Sequence, residues 1–277
     1  MDLDEIETFL KGADTASEQK RLQIVRAIGA YSVGLFAVRG SPEGDHLSLA
    51  GSGTLVQIGT AHHILTARHV WQEVLQLSDQ LGVTLVEGVD HWHLINVGSI
   101  VPIGPAPTLP WAQDGPDFVL LRIPDVYANG VKPFKTFYEL SLDLASQLTG
   151  SSLQTWFLMG IPACTGVFSQ KHASVEHIGA EVGFLSSSEN GSFDLCEVNF
   201  NASGFPDAKS LGGFSGGGLW KVFLHDAPTI YGFDCVVVLA GVAFWQFPLD
   251  GGNRRVRCHG PGTIGKLELL AGNDCLS

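Results

Sequence analysis

The chain has 277 residues, 45% apolar and only 16% charged, which is enough for one large or two small well-formed cores and excludes a disordered segment. Sixteen Lys and Arg stand against 28 Asp and Glu, and the net charge of -12 opposes binding to a phosphate backbone or to an anionic membrane face. Gly, with 34 copies, is over-represented and points to strands and turns rather than long surface helices.

Leu3, Ile6, Phe9 and Leu10 recur at helical spacing, and Thr15 with Glu18 forms a capping-box pattern before a second stripe of Leu22, Val25 and Ile28. The opening residues are therefore expected to form a helical pair, a surface for packing or for a regulatory partner. Acidic side chains among Met1 to Lys11 are the opposite of a signal peptide's basic start, so a cytoplasmic location is expected. After Gly29 short apolar runs cut by Gly, Pro, Asp and Ser predict strands at Tyr31 to Val38, Gly53 to Ile58, His63 to Ala67, His91 to Ile103 and Phe118 to Ile123. A polar, helix-compatible stretch from Ser141 to Leu148 separates these from strands at Leu153 to Pro162, Ala173 to Leu185, Phe193 to Phe200, Ile230 to Phe247 and Arg254 to His259. The longest uncharged apolar run, Cys235 to Trp245, falls well short of the roughly 20 residues that cross a bilayer. Cys164, Cys196, Cys235, Cys258 and Cys275 are scattered and odd in number, without a CxxC pair, and are expected to be free thiols. His91 and His93 alternate on one strand without a third ligand nearby, so no metal site is expected.

Three segments carry chemistry-bearing residues. Gly51-Ser-Gly-Thr-Leu-Val56 leads into Ile64-Leu-Thr-Ala-Arg-His69; Pro116-Asp-Phe-Val-Leu-Leu-Arg122 places Asp117 at the start of a buried-looking strand; Gly212-Gly-Phe-Ser-Gly-Gly-Gly-Leu219 holds Ser215 in a glycine-rich bend. A serine hydroxyl is a poor nucleophile until an imidazole removes its proton, and a carboxylate fixes the imidazole's tautomer and stabilises its cation. Glycines beside Ser215 allow backbone N–H groups to turn toward a developing oxyanion.

In these residues the sequence resembles the chymotrypsin-like serine proteases of the bacterial intracellular type. Thr66-Ala-Arg-His69 is similar to the family's T-A-A-H, Asp117-Phe-Val-Leu-Leu to D-I-A-L-L, and Gly213-Phe-Ser-Gly-Gly217 to G-x-S-G-G, in the family's order. Leu239-Ala-Gly-Val-Ala-Phe-Trp245 resembles the strand that walls the primary specificity pocket, and Phe157-Leu-Met-Gly-Ile-Pro162 the strand that opens the second barrel. The resemblance implies an all-β fold of two antiparallel six-stranded barrels with an N-terminal helical extension: residues 1–29 the extension, 30–140 the barrel with His69 and Asp117, 141–277 the barrel with Ser215. It implies a serine endopeptidase acting on protein or peptide substrates without metal or cofactor. His69 would be general base and acid, Asp117 its orienter in preference to Asp114, Ser215 the nucleophile, and the N–H groups of Gly213 and Ser215 the oxyanion hole.

Departures from the family pattern carry their own expectations. Phe214 replaces the Asp that pairs with a newly cut N-terminus in zymogens, so that activation is not expected. Val70 replaces a disulfide Cys, Phe244 the Ser that supports the family's Asp, and Gln246 a Gly at the pocket mouth. Pocket residues are expected among Lys209, Phe244, Trp245, Gln246 and His259, with no carboxylate at the base to favour Arg or Lys substrates. A catalytically silent module that binds peptides or partner proteins is the alternative. The G-x-S-x-G elbow of an esterase fits less well, because no buried strand precedes Ser215.

Overall fold

The structure, a computed structural model, describes residues 18–40, 46–86, 91–105, 115–140, 153–163, 167–168, 173–190, 193–201, 212–226, 233–248, 250 and 253–274. After a helix over 18–29 (α1), the first unit contains β1 (Ser32–Arg39), β2 (His46–Ile58), β3 (Ala61–Thr66), α2 (Arg68–Leu77), β4 (Gln80–Thr84), β5 (Trp92–Asn96), β6 (Val101–Ile103), β7 (Val119–Ile123), α3 (Asp125–Val131) and β8 (Tyr138–Glu139). The second contains β9 (Leu153–Gly160), β10 (Val167–Phe168), β11 (Ala173–Ser174), β12 (Ile178–Asn190), β13 (Phe193–Asn201), β14 (Gly218–Asp226), β15 (Phe233–Gln246), β16 (Asn253–His259) and a closing helix α4 (Pro261–Asp274). The fold is mostly β, and no helix among the described residues is long and apolar enough to cross a membrane.

The second unit is a closed barrel in the order β12-β13-β16-β15-β14-β9. The first departs from the expected six-stranded barrel. It is an eight-stranded sheet, β5-β4-β1-β2-β3-β7-β6 with β8 alongside β2, and it curls without closing. The reason lies in a predicted strand that splits: His91 to Ile103 becomes β5 and β6 with a 3-10 turn, Val97–Ser99, between them. Asn96 Oδ1 accepts from Gly98 N–H at 2.8 Å and fixes that turn, so the two end strands of the sheet meet at a bend instead of a ladder. β6 has only three residues, one of them Pro102, which has no N–H to offer a neighbour.

One core shared by the two units lies between them. Val56, Leu65, Phe118 and Leu120 of the first sheet pack with Phe157, Met159, Trp220 and Val242 of the barrel. Trp220 stacks on Tyr31 at 5.5 Å and takes Tyr138 edge-on at 5.3 Å. Both terminal helices close this seam. Ile264, Leu267 and Ala271 of α4 enter it from one face of the helix. Asp194 holds the start of α4, accepting from Gly262 N–H at 2.9 Å and Thr263 N–H at 2.6 Å, groups the helix leaves unpaired.

Helix α1 shares this core, with Ile24 and Ile28 at 2% and 0% exposure. The expected stripe is turned: Ile28 and the half-buried Val25 face inward, Leu22 is 41% exposed, and Ile24 takes its place. The earlier residues of the helical pair, Thr15 of its capping pattern, and the Ser141 to Leu148 stretch lie outside the described residues. Cys196, Cys235 and Cys258 are free thiols, and burial pushes Cys196 up to about 12. Because α1 fills a core between two sheets, Ile28→Ala should cost about 2–5 kcal/mol. Urea unfolding should show it as a lower midpoint; an unchanged midpoint would mean that α1 is not part of the cooperative core.

Candidate active site

His69 stands in the first turn of α2, directly after β3. The preceding Ala67 offers no side-chain cap, so the first N–H groups of α2 need acceptors from elsewhere. Asp117 supplies one. Its Oδ1 accepts from His69 N–H at 2.9 Å, and its Oδ2 accepts from His69 Nδ1–H at 2.6 Å. One carboxylate thus caps the helix, where negative charge is favoured, and fixes the imidazole with its proton on Nδ1. Both side chains are largely shielded, with 20% and 14% exposure. Asp117 is the carboxylate that meets His69; Asp114 lies outside the described residues.

Ser215 lies in the turn before β14, and its main chain is tied to both units. Its carbonyl accepts from Ser52 N–H at 2.8 Å, Gly216 N–H donates to Ala243 O at 2.7 Å, and Ala243 N–H donates to Gly217 O at 2.8 Å. The turn needs glycine twice, because Gly213 and Gly216 have φ of +93° and +87° and a Cβ would stand 2.3 Å from Ile161 O and 2.0 Å from Ser52 O. The turn lies against the start of α2: a Cβ at Gly51 would meet Val70 Cγ2 at 2.5 Å and Ser215 O at 2.8 Å. The N–H groups of Gly213 and Ser215 donate to no backbone partner among the described residues. Phe214 is 3% exposed and packs in the barrel core, its ring 6.0 Å from that of Phe200, so apolar burial anchors the turn at this position.

Of the expected pocket residues, Phe244, Trp245 and Gln246 lie beside Ser215. With Phe214, Ala243 and Val256 they line a small crevice at Ser215. None of these lining residues is charged. Gln246 Oε1 accepts from Arg254 Nη1 at 3.2 Å. Lys209 lies outside the described residues. His259 does not line this crevice: it is fully buried at the seam, its ring stacked on Phe244 at 4.4 Å. The strand register explains the difference. Val242 pairs with His259 and a bulge follows at Phe244, so Val256 rather than His259 comes opposite Gln246. Burial lowers His259 to about 4, leaving it neutral at ordinary pH.

The residue that sequence reasoning missed is Ser52. Its Oγ accepts from Ile161 N–H at 2.8 Å and donates to Gly213 O at 2.5 Å, while its carbonyl accepts from Thr66 Oγ1 at 2.7 Å. A Ser between two glycines carries the local signature of a turn, and only the pairing of distant segments reveals this role. Arg68, also outside the expected site, donates to Pro105 O at 2.6 Å and sits close enough to Asp117 for charge attraction. His91 and His93 lie against Phe134 and Tyr127, and the described residues gather no set of three or more His, Cys, Asp or Glu that could hold a metal.

Ser52→Ala removes one partner from two backbone groups in a region where buried polar groups need them, and should cost about 1–3 kcal/mol. The check is a denaturant titration of the variant beside the wild type; equal midpoints would mean that water replaces Oγ without loss. No known protein-family model and no curated protein matches the chain.

Proposed function

We propose that this protein is a serine endopeptidase that cleaves polypeptides through an acyl-enzyme intermediate. The observation that carries the reading is the two-point grip of Asp117 on His69, with bonds of 2.9 and 2.6 Å, on a helix whose start abuts the Ser215 turn. Because Nδ1 carries the proton, Nε2 is left as the base. Nε2 takes the proton of Ser215 as Oγ bonds to the substrate carbonyl carbon, and the negative charge gathers on the carbonyl oxygen. The N–H groups of Gly213 and Ser215 bond that oxyanion. The imidazolium gives its proton to the leaving nitrogen as the C–N bond breaks, which leaves an acyl group on Ser215. Water then attacks the ester with the same base, and the acid product and Ser215 hydroxyl are restored. No metal or organic cofactor takes part in this scheme. Apolar anchoring of Phe214 means that the turn does not rely on an ion pair with a newly cut N-terminus.

A second reading, a catalytically silent module that binds peptides, draws on the small size of the crevice at Ser215. Covalent labelling separates the two. A fluorophosphonate probe should modify Ser215 in the wild type, and Ser215→Ala and His69→Ala should each abolish labelling and peptide hydrolysis with the fold intact, because such residues act as a unit. Asp117→Asn should slow turnover by on the order of 10⁴ through the wrong His69 tautomer. A wild-type protein that resists the probe, or a Ser215→Ala protein that still hydrolyses peptides, would rule the enzyme reading out.

A further inference from the structure

Across the seam from Asp117, the second unit contributes a polar group. His259, at the end of β16, reaches across the seam so that its Nε2 lies 3.0 Å from Asp117 N–H. We propose that His259 is a positioning residue for this site, holding the main chain of Asp117 and, through it, the orientation of His69. The inference rests on the protease reading above.

The chemistry of the contact leaves one arrangement. Asp117 N–H is a donor, so Nε2 must accept, and the ring must be neutral with its hydrogen on Nδ1. That Nδ1 is buried, with no hydrogen-bond partner among the described residues. A buried unpaired donor is costly, and if packing alone were needed a phenylalanine would fill the same stacked position without that cost. Aromatic rings pack against it: Phe244 stacks on one face at 4.4 Å, and Phe118 and Phe193 meet it edge-on at 4.7 and 6.3 Å. The loop that carries Asp117 is shaped to reach the ring. Gly115 has φ +70°, and a Cβ there would stand 2.7 Å from His259 Cε1. Asp117 is therefore fixed at two ends, its carboxylate on α2 of the first unit and its N–H on β16 of the second. Phe244 removes the hydroxyl that the family pattern would offer to the carboxylate, and the same residue supplies the stack that holds His259.

Two variants separate positioning from packing. His259→Phe keeps ring and stacking and loses the acceptor; His259→Gln loses the ring and keeps an acceptor at about the same reach. Positioning predicts that His259→Phe lowers kcat on a peptide substrate by on the order of 10² with KM unchanged, since small misplacements at a reacting centre have effects of that size. His259→Gln should stay within a few-fold of wild type. A second readout needs no substrate: the far-downfield proton resonance of His69 Nδ1–H should be present in wild type and His259→Gln and absent in His259→Phe. Wild-type turnover and resonance in His259→Phe, or a folded His259→Gln that has lost both, would overturn the assignment. If His259→Phe does not fold, His259→Gln decides by the same two readouts. An inactive wild type that shows this resonance pattern would defeat the protease reading and leave the positioning contact standing.

Discussion

Four hydrogen bonds converge on Ser52, and the relation between the two halves of the site depends on them. Its N–H holds the carbonyl of Ser215, its Oγ joins Ile161 to Gly213, and its carbonyl receives Thr66 Oγ1. Thr66 ends β3, the strand that delivers His69, whereas Gly213 and Ser215 belong to the turn before β14. His69 and Ser215 belong to different units with no covalent connection nearby. A seam closed by apolar contact alone would fix how far apart the sheets are without fixing their slide along one another, because hydrophobic burial has no direction. The bonds at Ser52 are directional and supply the register. The contact of His259 with Asp117 acts across the same seam in the same sense.

Apolar packing supplies the rigidity on which those bonds rely. Trp220, Tyr31 and Tyr138 interlock between the sheets, and α1 and α4 cover the seam with Ile24, Ile28, Ile264 and Leu267. Close-packed interiors deform little, so groups held by such a core keep their separation. Phe214 extends the same logic into the Ser215 turn, which its burial in the barrel core anchors. On the neighbouring strand, a bulge at Phe244 accompanies the stacking of that side chain on His259, and an uncharged crevice lies beside Ser215.

Local chemistry made much of this legible in the sequence. Runs of apolar residues between glycines and prolines marked β1, β3, β7, β9, β13 and β16 to within a few residues, and the motifs at His69, Asp117 and Ser215 pointed to residues that the fold brings to one seam. Long-range registers were not legible. Whether the first sheet closes depends on a 3-10 turn at Val97–Ser99, and where His259 points depends on its pairing with Val242. Helix α2 was hidden because its buried residues, Val70, Trp71 and Val74, follow a motif that ends at His69. Ser52 was hidden for the opposite reason, since its glycine neighbours are there to admit Val70 and Ile64 rather than to make a turn.

The central claim, that a serine, a histidine and an aspartate meet at this seam to cut polypeptides, is tested most directly by mapping new N-termini. A protein extract is incubated with the wild type and, in parallel, with Ser215→Ala, and the N-termini created in each are identified by mass spectrometry. The account predicts N-termini that appear only with the wild type. Identical sets of N-termini with the two proteins would contradict it.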